Sequence, residues 1–409
     1  MSFGTAENAR ARRDFPALNQ DGAGPPLAFL DGPGGTQVPQ AVIDAIDAVY
    51  RTCNVNTHGK FPPSRRVDAL MDEARAAVAE FLGAADGSSI SFGQNMTSLN
   101  FALSAAIGRG LEAGDEILIT QLDHEANRSP WSRLVERGVV VREVRLLASG
   151  ELDTGNLAEL LGPRTKLLAI GGSSNALGTV NDLALARRLT HAVGALLVVD
   201  AVHYAPHFPI DVRALGVDFL LCSAYKFYGP HVGILYSAPG ALARLATDRL
   251  STQDPAPPYR IETGTLNHAA IAGVRAAIDF IATWGEGTGL RERLVTAMSG
   301  IGAYEHELAR YLHGALAALP GVRIWGPGFS NRARAPTVSI TLERHTPGEA
   351  AAALGEQGLC VWDGDFYAAR AVEVLGLSGR GGLLRTGISL YTTRAEIDRL
   401  LAGIQRLAG

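Results

Sequence analysis

The sequence predicts an α/β fold whose main sheet is largely parallel and covered by helices on both faces. The first observation is that, from residue 90 onward, short apolar segments alternate with segments whose apolar residues have helical spacing. Strands interleaved with helices in this way indicate a parallel sheet. The second is a hydrophobic fraction of 47% over 409 residues. Such a chain is typical of a globular protein with about two or three domains.

The segments before this alternation predict one short strand and two helices. AFLDGPGGTQVP (28–39) reads as a short strand that runs into a glycine turn. AVIDAIDAVYR (41–51) and RVDALMDEARAAVAEFLG (66–83) both have helical spacing, and Gly83 closes the second helix.

Seven apolar segments predict the strands of the main sheet. They lie at 89–92, 116–120, 138–143, 166–170, 195–199, 218–222 and 232–236. Helix-like segments such as SLNFALSAAIGRGLEAG (98–114) and NDLALARRLTHAVG (181–194) separate them. Because ligands of such sheets bind beyond the carboxyl ends of the strands, polar residues just after these segments are candidates for a site.

The C-terminal part predicts a smaller α+β domain. A Pro-rich interruption at 251–260 precedes one long helical segment, 268–317. Residues 322–409 then mix the strands VRIWG, PTVSITLE, GLCVW and LLRTGISLY with the helices GEAAAALGEQ and RAEIDRLLAGIQRLAG.

Charge and cysteine content exclude several classes of partner. With a net charge of −4 and no cluster of Lys or Arg, neither nucleic acid nor a membrane surface is an expected partner. The three cysteines, Cys53, Cys222 and Cys360, have no metal-type spacing and cannot form a paired framework, so a reducing compartment and no metal are expected. No stretch reaches the roughly 18 apolar residues of a membrane span. We therefore expect a cytoplasmic protein.

Lys226 and Asp200 are the strongest pair of candidate catalytic residues. Asp200 ends the apolar run ALLVV, and Lys226 follows DFLLCSAY. A buried carboxylate needs a cationic partner, although it can also serve as a helix cap. Pyridoxal phosphate requires a lysine for its Schiff base and an acid that keeps its ring nitrogen protonated. The pair therefore predicts an enzyme that acts on an amino group.

A phosphate site is predicted where one strand runs into a helix. Met96 and Thr97 lie in the first helical turn after the strand at 89–92, where free N–H groups and the helix dipole favour an anion. Ser223 and Tyr225 flank the lysine and offer hydroxyl donors. The alternative is an ordinary helix cap by Asn95 or Thr97.

Three further polar residues follow predicted strands. His124 would stack on a cofactor ring or move protons, although a lone histidine is more often structural. Asn175 would bind the phenolic oxygen of the ring, and the alternative is a turn asparagine. His203, three residues after Asp200, would face the same ring.

Four motifs in order resemble one enzyme family. DHEAN (123–127), SSNALGT (173–179), VVDAVHYAPH (198–207) and SAYKFYGP (223–230) are similar to motifs of the class V aminotransferase group of fold type I pyridoxal phosphate enzymes. Cysteine desulfurases, selenocysteine lyases, kynureninase and isopenicillin N epimerase belong to this group. The resemblance implies roles for matching positions: the cofactor lysine for Lys226, its ring-nitrogen partner for Asp200, ring contacts for His124, Asn175 and His203, and phosphate contacts for Met96, Thr97, Ser223 and Tyr225.

The resemblance also implies the domain organisation and the assembly. Residues 1–30 would be an N-terminal arm that packs with the small domain, 31–283 the large cofactor-binding domain, and 284–409 the small domain. A homodimer with shared active sites is implied, because Thr265 in RIETGTLNH would contact the phosphate of the neighbouring subunit. Arg385 would hold the carboxylate of an amino acid substrate, and Tyr367 and His58 are further candidates for substrate contact.

The sequence departs from the desulfurase pattern at the nucleophile. The loop position where those enzymes carry a cysteine falls on Tyr367, and Cys360 lies seven residues earlier within GLCVW. We therefore expect a carbon–sulfur lyase that eliminates a leaving group from a cysteine derivative. An aminotransferase, an epimerase, a desulfurase with an unexpected thiol and a catalytically silent member of the family are the alternatives.

Overall fold

The computed structural model describes residues 3–19, 24–329 and 333–409. The first elements are helix α1 (Thr5–Arg12), strand β1 (Ala28–Phe29), and helices α2 (Gln40–Thr52) and α3 (Pro62–Leu82). Both helices expected here are present, and Gly83 ends α3 in the left-handed conformation at φ 69°. Helix α1 was not predicted, because its segment TAENARAR lacks an apolar stripe.

The central elements form a seven-stranded sheet with its covering helices. In chain order they are β2 (Ile90–Gly93), α4 (Met96–Gly108), β3 (Glu116–Thr120), α5 (Ser129–Ser132), β4 (Val140–Val144), α6 (Thr154–Leu160), β5 (Thr165–Gly171), α7 (Leu183–Ala192), β6 (Leu196–Asp200), α8 (Val212–Leu215), β7 (Phe219–Ser223) and β8 (Gly233–Ser237). The strand order is β2-β8-β7-β6-β5-β3-β4. β8 runs antiparallel to the other six strands of this sheet, which are parallel to one another. All seven predicted strands are confirmed.

The central strands of the sheet are buried on both faces because they are almost entirely apolar, whereas the edge strand β4 contains Arg142 and Glu143 and is partly exposed. In β6, Leu197 and Val199 pack into one core with α3 and helix residues near 270–280, whereas Val198 packs into a second core with α4. Side chains of a strand alternate between faces, so a continuous apolar run fills both cores.

The remaining elements build a second, antiparallel sheet. They are α9 (His268–Ala282), α10 (Leu290–Ala317), β9 (Val322–Trp325), β10 (Thr337–Leu342), α11 (Pro347–Gly355), β11 (Leu359–Cys360), β12 (Trp362–Gly364), α12 (Ala369–Val374), β13 (Leu383–Gly387) and α13 (Arg394–Ala408). The four-stranded sheet has the order β12-β13-β10-β9, and β1 pairs in parallel with β11.

Two local predictions differ from the structure. The helical segment 268–317 is two helices, because a Cβ on Gly285 would lie 1.8 Å from the carbonyl oxygen of Arg293 and the chain turns tightly there. The strand GLCVW is divided between β11 and β12, which pair with different strands.

The N-terminal segment contacts both predicted domains. Asn8 Nδ2 donates to the carbonyl oxygens of Leu390 (2.7 Å) and Thr392 (3.1 Å). The Phe15 ring packs edge-on against Tyr228 and Tyr391. Residues 1–2 and 20–23 of the predicted arm lie outside the described residues, and the division into domains stays a prediction. None of the helices in the described ranges is both long and apolar enough to cross a bilayer.

Candidate active site

A cavity of about 620 Å³ lies at the carboxyl ends of the central strands. Eleven predicted site residues line it: Met96, Thr97, His124, Asn175, Asp200, His203, Ser223, Tyr225, Lys226, Tyr367 and Arg385. The ends of β2, β3, β5, β6 and β7 lie at one edge of the sheet, which is why residues far apart in the chain converge.

Lys226 is buried in this cavity, and its amine loses its proton far more easily than that of an ordinary lysine. Burial, and next the positive charge of Arg385, lower the pKa of Lys226 from 10.5 to about 7, against the opposing effect of Asp31 and Asp200. The Nζ atom donates to the carbonyl oxygen of Pro33 and lies 4.7 Å from the centre of the Tyr225 ring. An amine that loses its proton near neutral pH is a competent nucleophile and base.

Asp200 is a buried acid at the end of β6. Its Oδ1 accepts the backbone N–H of Val202 at 2.9 Å, a local cap of the kind considered as the alternative role. Burial, together with the charge of Asp123, raises the pKa of Asp200 from 3.8 to about 7, against the opposing effects of the Val202 N–H and of Lys226. A cationic ring nitrogen beside this carboxyl group would favour its ionised form.

Asp123, which was not among the predicted residues, also lines the cavity. Its carboxylate accepts the N–H of Gly171 at 3.0 Å and the Asn127 amide at 3.0 Å. In the sequence, Asp123 could have been found as the first residue of the DHEAN motif, which also contains His124.

His124 is oriented as a neutral imidazole. Its Nδ1 accepts the backbone N–H of Ala126 at 3.0 Å, which leaves a proton of the neutral ring on Nε2. Burial, then the charges of Lys226 and Arg385, lower the pKa of His124 to about 4. A neutral ring beside a flat cofactor can stack and donate from Nε2.

The predicted phosphate end combines a helix terminus with hydroxyl groups. The Met96 N–H donates to Ser223 Oγ at 3.1 Å, and Thr97 lies in the first turn of α4. Asn95 caps the same helix, because its side chain accepts the N–H of Ser98 at 2.8 Å. The ordinary cap and the anion-binding turn thus occur together.

Asn175 and His203 both have protein partners within the cavity wall. Asn175 Nδ2 donates to the carbonyl oxygen of Phe366 at 2.8 Å, so this amide ties the sheet to the loop that carries Tyr367. His203 Nε2 lies 2.9 Å from Thr337 Oγ1. Burial holds the pKa of His203 well below its usual range, with a smaller effect of His207 in the same direction.

Arg385 is paired with an acid that sequence reasoning missed. Its guanidinium lies 2.8 Å from Asp31 Oδ1 and 4.2 Å from the centre of the Phe366 ring. Asp31 begins the glycine turn after β1, where a Cβ on Gly34 would lie 1.9 Å from Asp31 Oδ2. The acid in FLDGPGG, next to three glycines, was the only available signal. A buried Arg with one side toward the cavity can form a bidentate pair with a carboxylate.

Two consecutive residues near the cavity mouth have left-handed backbone conformations. Phe366 and Tyr367 have φ values of 56° and 58°, which are uncommon for residues other than glycine. Tyr367 N–H donates to Asp365 Oδ1 at 2.9 Å, and its carbonyl oxygen accepts from Glu125 at 2.7 Å. The Tyr367 ring lies 5.3 Å from the ring of His124.

Two predicted residues are not in this cavity. His58 lies in a turn with an 82% exposed side chain beside Asp68, and Thr265 is exposed. Their predicted roles need a neighbouring subunit or substrate and stay predictions. Of the cysteines, Cys53 and Cys222 are buried and Cys360 is half-buried in β11, paired with Phe29.

The side chains present fit pyridoxal phosphate. The cavity brings together a lysine amine with a lowered pKa (Lys226), a carboxyl group that would ionise beside a cation (Asp200) and a helix N-terminus with a neighbouring hydroxyl group. An aromatic aldehyde with a basic ring nitrogen and a phosphate requires this donor set.

Comparisons with known proteins agree with this fit. The family model described as Aminotransferase class-V matches residues 28–400. A protein of Dickeya dadantii named cysteine desulfurase is 34% identical over 414 residues, which cover 97% of this chain and 96% of the relative. The apo structure of a cysteine desulfurase from Thermococcus onnurineus NA1 has a TM-score of 0.87 and 26% identity, with 98% of each chain covered.

A third comparison shows the fold alone. A C-DES mutant with glycine covalently linked to its PLP cofactor has a TM-score of 0.78 and 22% identity, over 97% of this chain and 98% of that one.

The fold, the cavity and the family model together define a fold type I enzyme that uses pyridoxal phosphate. The chain belongs to the class V aminotransferase family, in its cysteine desulfurase-like group. The predicted family, fold class and cofactor are confirmed.

Proposed function

We propose that this enzyme is a carbon–sulfur lyase that acts on S-substituted cysteines and releases a thiol, pyruvate and ammonia. The observation that carries the proposal is the identity of the loop residue beside His124. It is Tyr367, and no cysteine is among the described residues that line the cavity. A desulfurase needs a thiolate that attacks the substrate's sulfur, whereas an elimination needs only a base and a leaving group.

The chain's own groups can perform the steps of an elimination. Bound pyridoxal phosphate supplies a sink for the electron pair left at the α-carbon. Arg385 binds the substrate carboxylate, and uncharged Lys226 removes the proton from Cα. Asp200 stabilises positive charge at the ring nitrogen, which requires its ionised form.

The products follow from bond accounting. The Cα–H and Cβ–S bonds break, and the electron pair of the Cα–H bond forms a Cα=Cβ double bond. Lys226 receives the proton from Cα, and the electron pair of the Cβ–S bond leaves with sulfur as a thiolate, which takes up a proton to become the thiol. The unsaturated amine that is released takes up water and gives pyruvate and ammonia. No oxidant or reductant is needed.

The environment of the cysteines supports elimination over sulfur transfer. Burial raises the pKa of the Cys222 thiol far above its usual range. Burial, then the charge of Asp31, also raises the pKa of Cys360. Because a thiolate is the nucleophile, a raised pKa makes both groups poor acceptors of sulfur.

A second candidate function is cysteine desulfuration. It is favoured by the name of the Dickeya dadantii relative at 34% identity. Cys360, which is only half-buried, would then be the thiol to examine first.

One product analysis separates the two candidates. The holoenzyme is incubated with L-cysteine, S-methyl-L-cysteine and S-benzyl-L-cysteine, and pyruvate, thiol, sulfide and alanine are measured separately. We expect pyruvate and thiol in equal amounts, no alanine, unchanged rates in Cys360→Ser, and no product with Lys226→Ala. Alanine formed together with protein-bound sulfane sulfur, and lost in Cys360→Ser, would overturn the lyase in favour of the desulfurase.

A further inference from the structure

Three large aromatic side chains at the cavity are exposed to solvent. Trp362 is 57%, Tyr367 71% and Phe101 39% exposed, and all three line the cavity. A single exposed apolar residue needs no explanation, but several that converge on one cavity mark a surface that a ligand or a neighbouring subunit covers.

The register of β12 and β13 places Trp362 beside the predicted carboxylate site. Trp362 is directly opposite Arg385 in this antiparallel pair. Side chains of directly opposed residues share one face of the sheet, with Cβ atoms about 5 Å apart. A substituent on an amino acid whose carboxylate is bound by Arg385 is therefore within reach of the indole.

Tyr367 also lines the cavity, and its backbone is held in place. The bonds from its N–H to Asp365 and from Glu125 to its carbonyl oxygen fix a left-handed turn. Such a conformation persists only where its surroundings determine it. The phenol is thus presented by a rigid turn, adjacent to His124.

The charges around the cavity disfavour an anionic substituent. The cavity-lining acids are Asp31, Asp123, Glu125 and Asp200, and its lining lysine and arginine are Lys226 and Arg385. Arg385 is paired with Asp31, and its predicted partner in the substrate is the α-carboxylate. Glu125 is hydrogen-bonded through its backbone N–H to Tyr367 and adds a negative charge near that residue. A second carboxylate on the substrate would meet no cation at the mouth among these residues.

We propose that the cavity mouth contains an aromatic subsite formed by Trp362, Tyr367 and Phe101. This subsite selects amino acids whose side chain carries an uncharged aromatic group beyond the β-carbon. In the lyase reaction this group is the sulfur substituent, so the preferred substrates are S-arylmethyl or S-aryl cysteines. This inference rests on the proposed function for its substrate class, but the subsite itself concerns binding. Aromatic rings pack favourably against indole and phenol rings beyond their simple burial.

The kinetic test compares three conjugates in matched variants. The holoenzyme should process S-benzyl-L-cysteine with a kcat/KM roughly tenfold or more above that of S-methyl-L-cysteine, and should discriminate against S-carboxymethyl-L-cysteine. Trp362→Ala should bring the benzyl-to-methyl ratio close to one, whereas Trp362→Phe should keep most of it. Leu250→Ala, which removes an exposed apolar side chain outside the cavity, is the control for nonspecific effects. An unchanged ratio in both Trp362→Ala and Tyr367→Ala would overturn the subsite.

A binding test separates this inference from the proposed function. L-phenylalanine and L-alanine have no leaving group, and their binding to the holoenzyme is followed by the shift of the cofactor's visible absorbance. We expect phenylalanine to bind roughly tenfold more tightly, with the difference lost in Trp362→Ala. That result without any elimination of conjugates would leave the subsite standing and reject the lyase. Equal binding of the two amino acids would reject the subsite even if elimination occurs.

Discussion

Raising the pH should accelerate cofactor capture by the apoenzyme up to about one unit above the pKa of Lys226, which is about 7, and no further. The structure lowers the pKa of Lys226 from 10.5 to about 7, chiefly by burial and then by Arg385. At pH 7 about half of the Lys226 amines are then uncharged, compared with about one in 3,000 for an ordinary lysine. Since only the uncharged amine attacks the aldehyde, the enzyme's rate should level off where that of a free amine still rises.

The assay mixes apoenzyme with pyridoxal phosphate between pH 5 and 10 and follows the visible absorbance band. Nα-acetyl-lysine in the same buffers serves as the reference, so that the ionisations of the cofactor cancel in the ratio of the two rates. Arg385→Met should move the pH of half-maximal rate upward, because it removes a charge that lowers the pKa. Asp31→Asn should move it downward, because Asp31 raises the pKa. A constant ratio between pH 7 and 10 would refute the reasoning.

Two other predictions concern stability. Burial raises the pKa of Asp200 from 3.8 to about 7, so its contribution to apoenzyme stability is full below pH 3.8 and is lost as the pH rises through 7. Asp200→Asn should therefore raise the free energy of unfolding of the apoenzyme by up to ~4 kcal/mol at pH 8 but leave it unchanged near pH 4, as measured by denaturant unfolding. The same difference in unfolding free energy between variant and wild type at both pH values would contradict this reasoning. Gly387→Ala places a Cβ 1.9 Å from Pro33 Cδ and should cost about 3 kcal/mol while weakening the cofactor band, whereas Gly379→Ala, with open space around it, should do neither. Equal unfolding free energies for these two glycine variants would show that the turn at Pro33 is not packed as described.

The strands and most of the site could be predicted because their signals are local. Most strands of the main sheet are apolar runs that end at a polar residue or a glycine, and an apolar run such as LLVV in β6 is more stable when buried than in contact with water. Because the strands are parallel, polar residues that follow their carboxyl ends all lie at the same edge of the sheet. Lys226, Asp200 and His124 therefore meet in one cavity, as the sequence implied.

Other features could not be predicted because they depend on contacts between distant segments. The Asp31–Arg385 pair joins residues 354 positions apart, and no periodicity indicates it. The segment GLCVW has the sequence pattern of one strand, but it is divided because Cys360 pairs with β1 and Trp362 pairs with β13.

By itself, the sequence determined the order of strands and helices and the residue types that pyridoxal phosphate requires, because burial and turn chemistry act over a few neighbouring residues. Tertiary structure alone decided which acid faces Arg385, how far burial lowers the pKa of Lys226, and that Trp362 and Tyr367 flank the cavity mouth. Charge pairing, desolvation and side-chain exposure are properties of the assembled chain, since each depends on segments that only folding brings together.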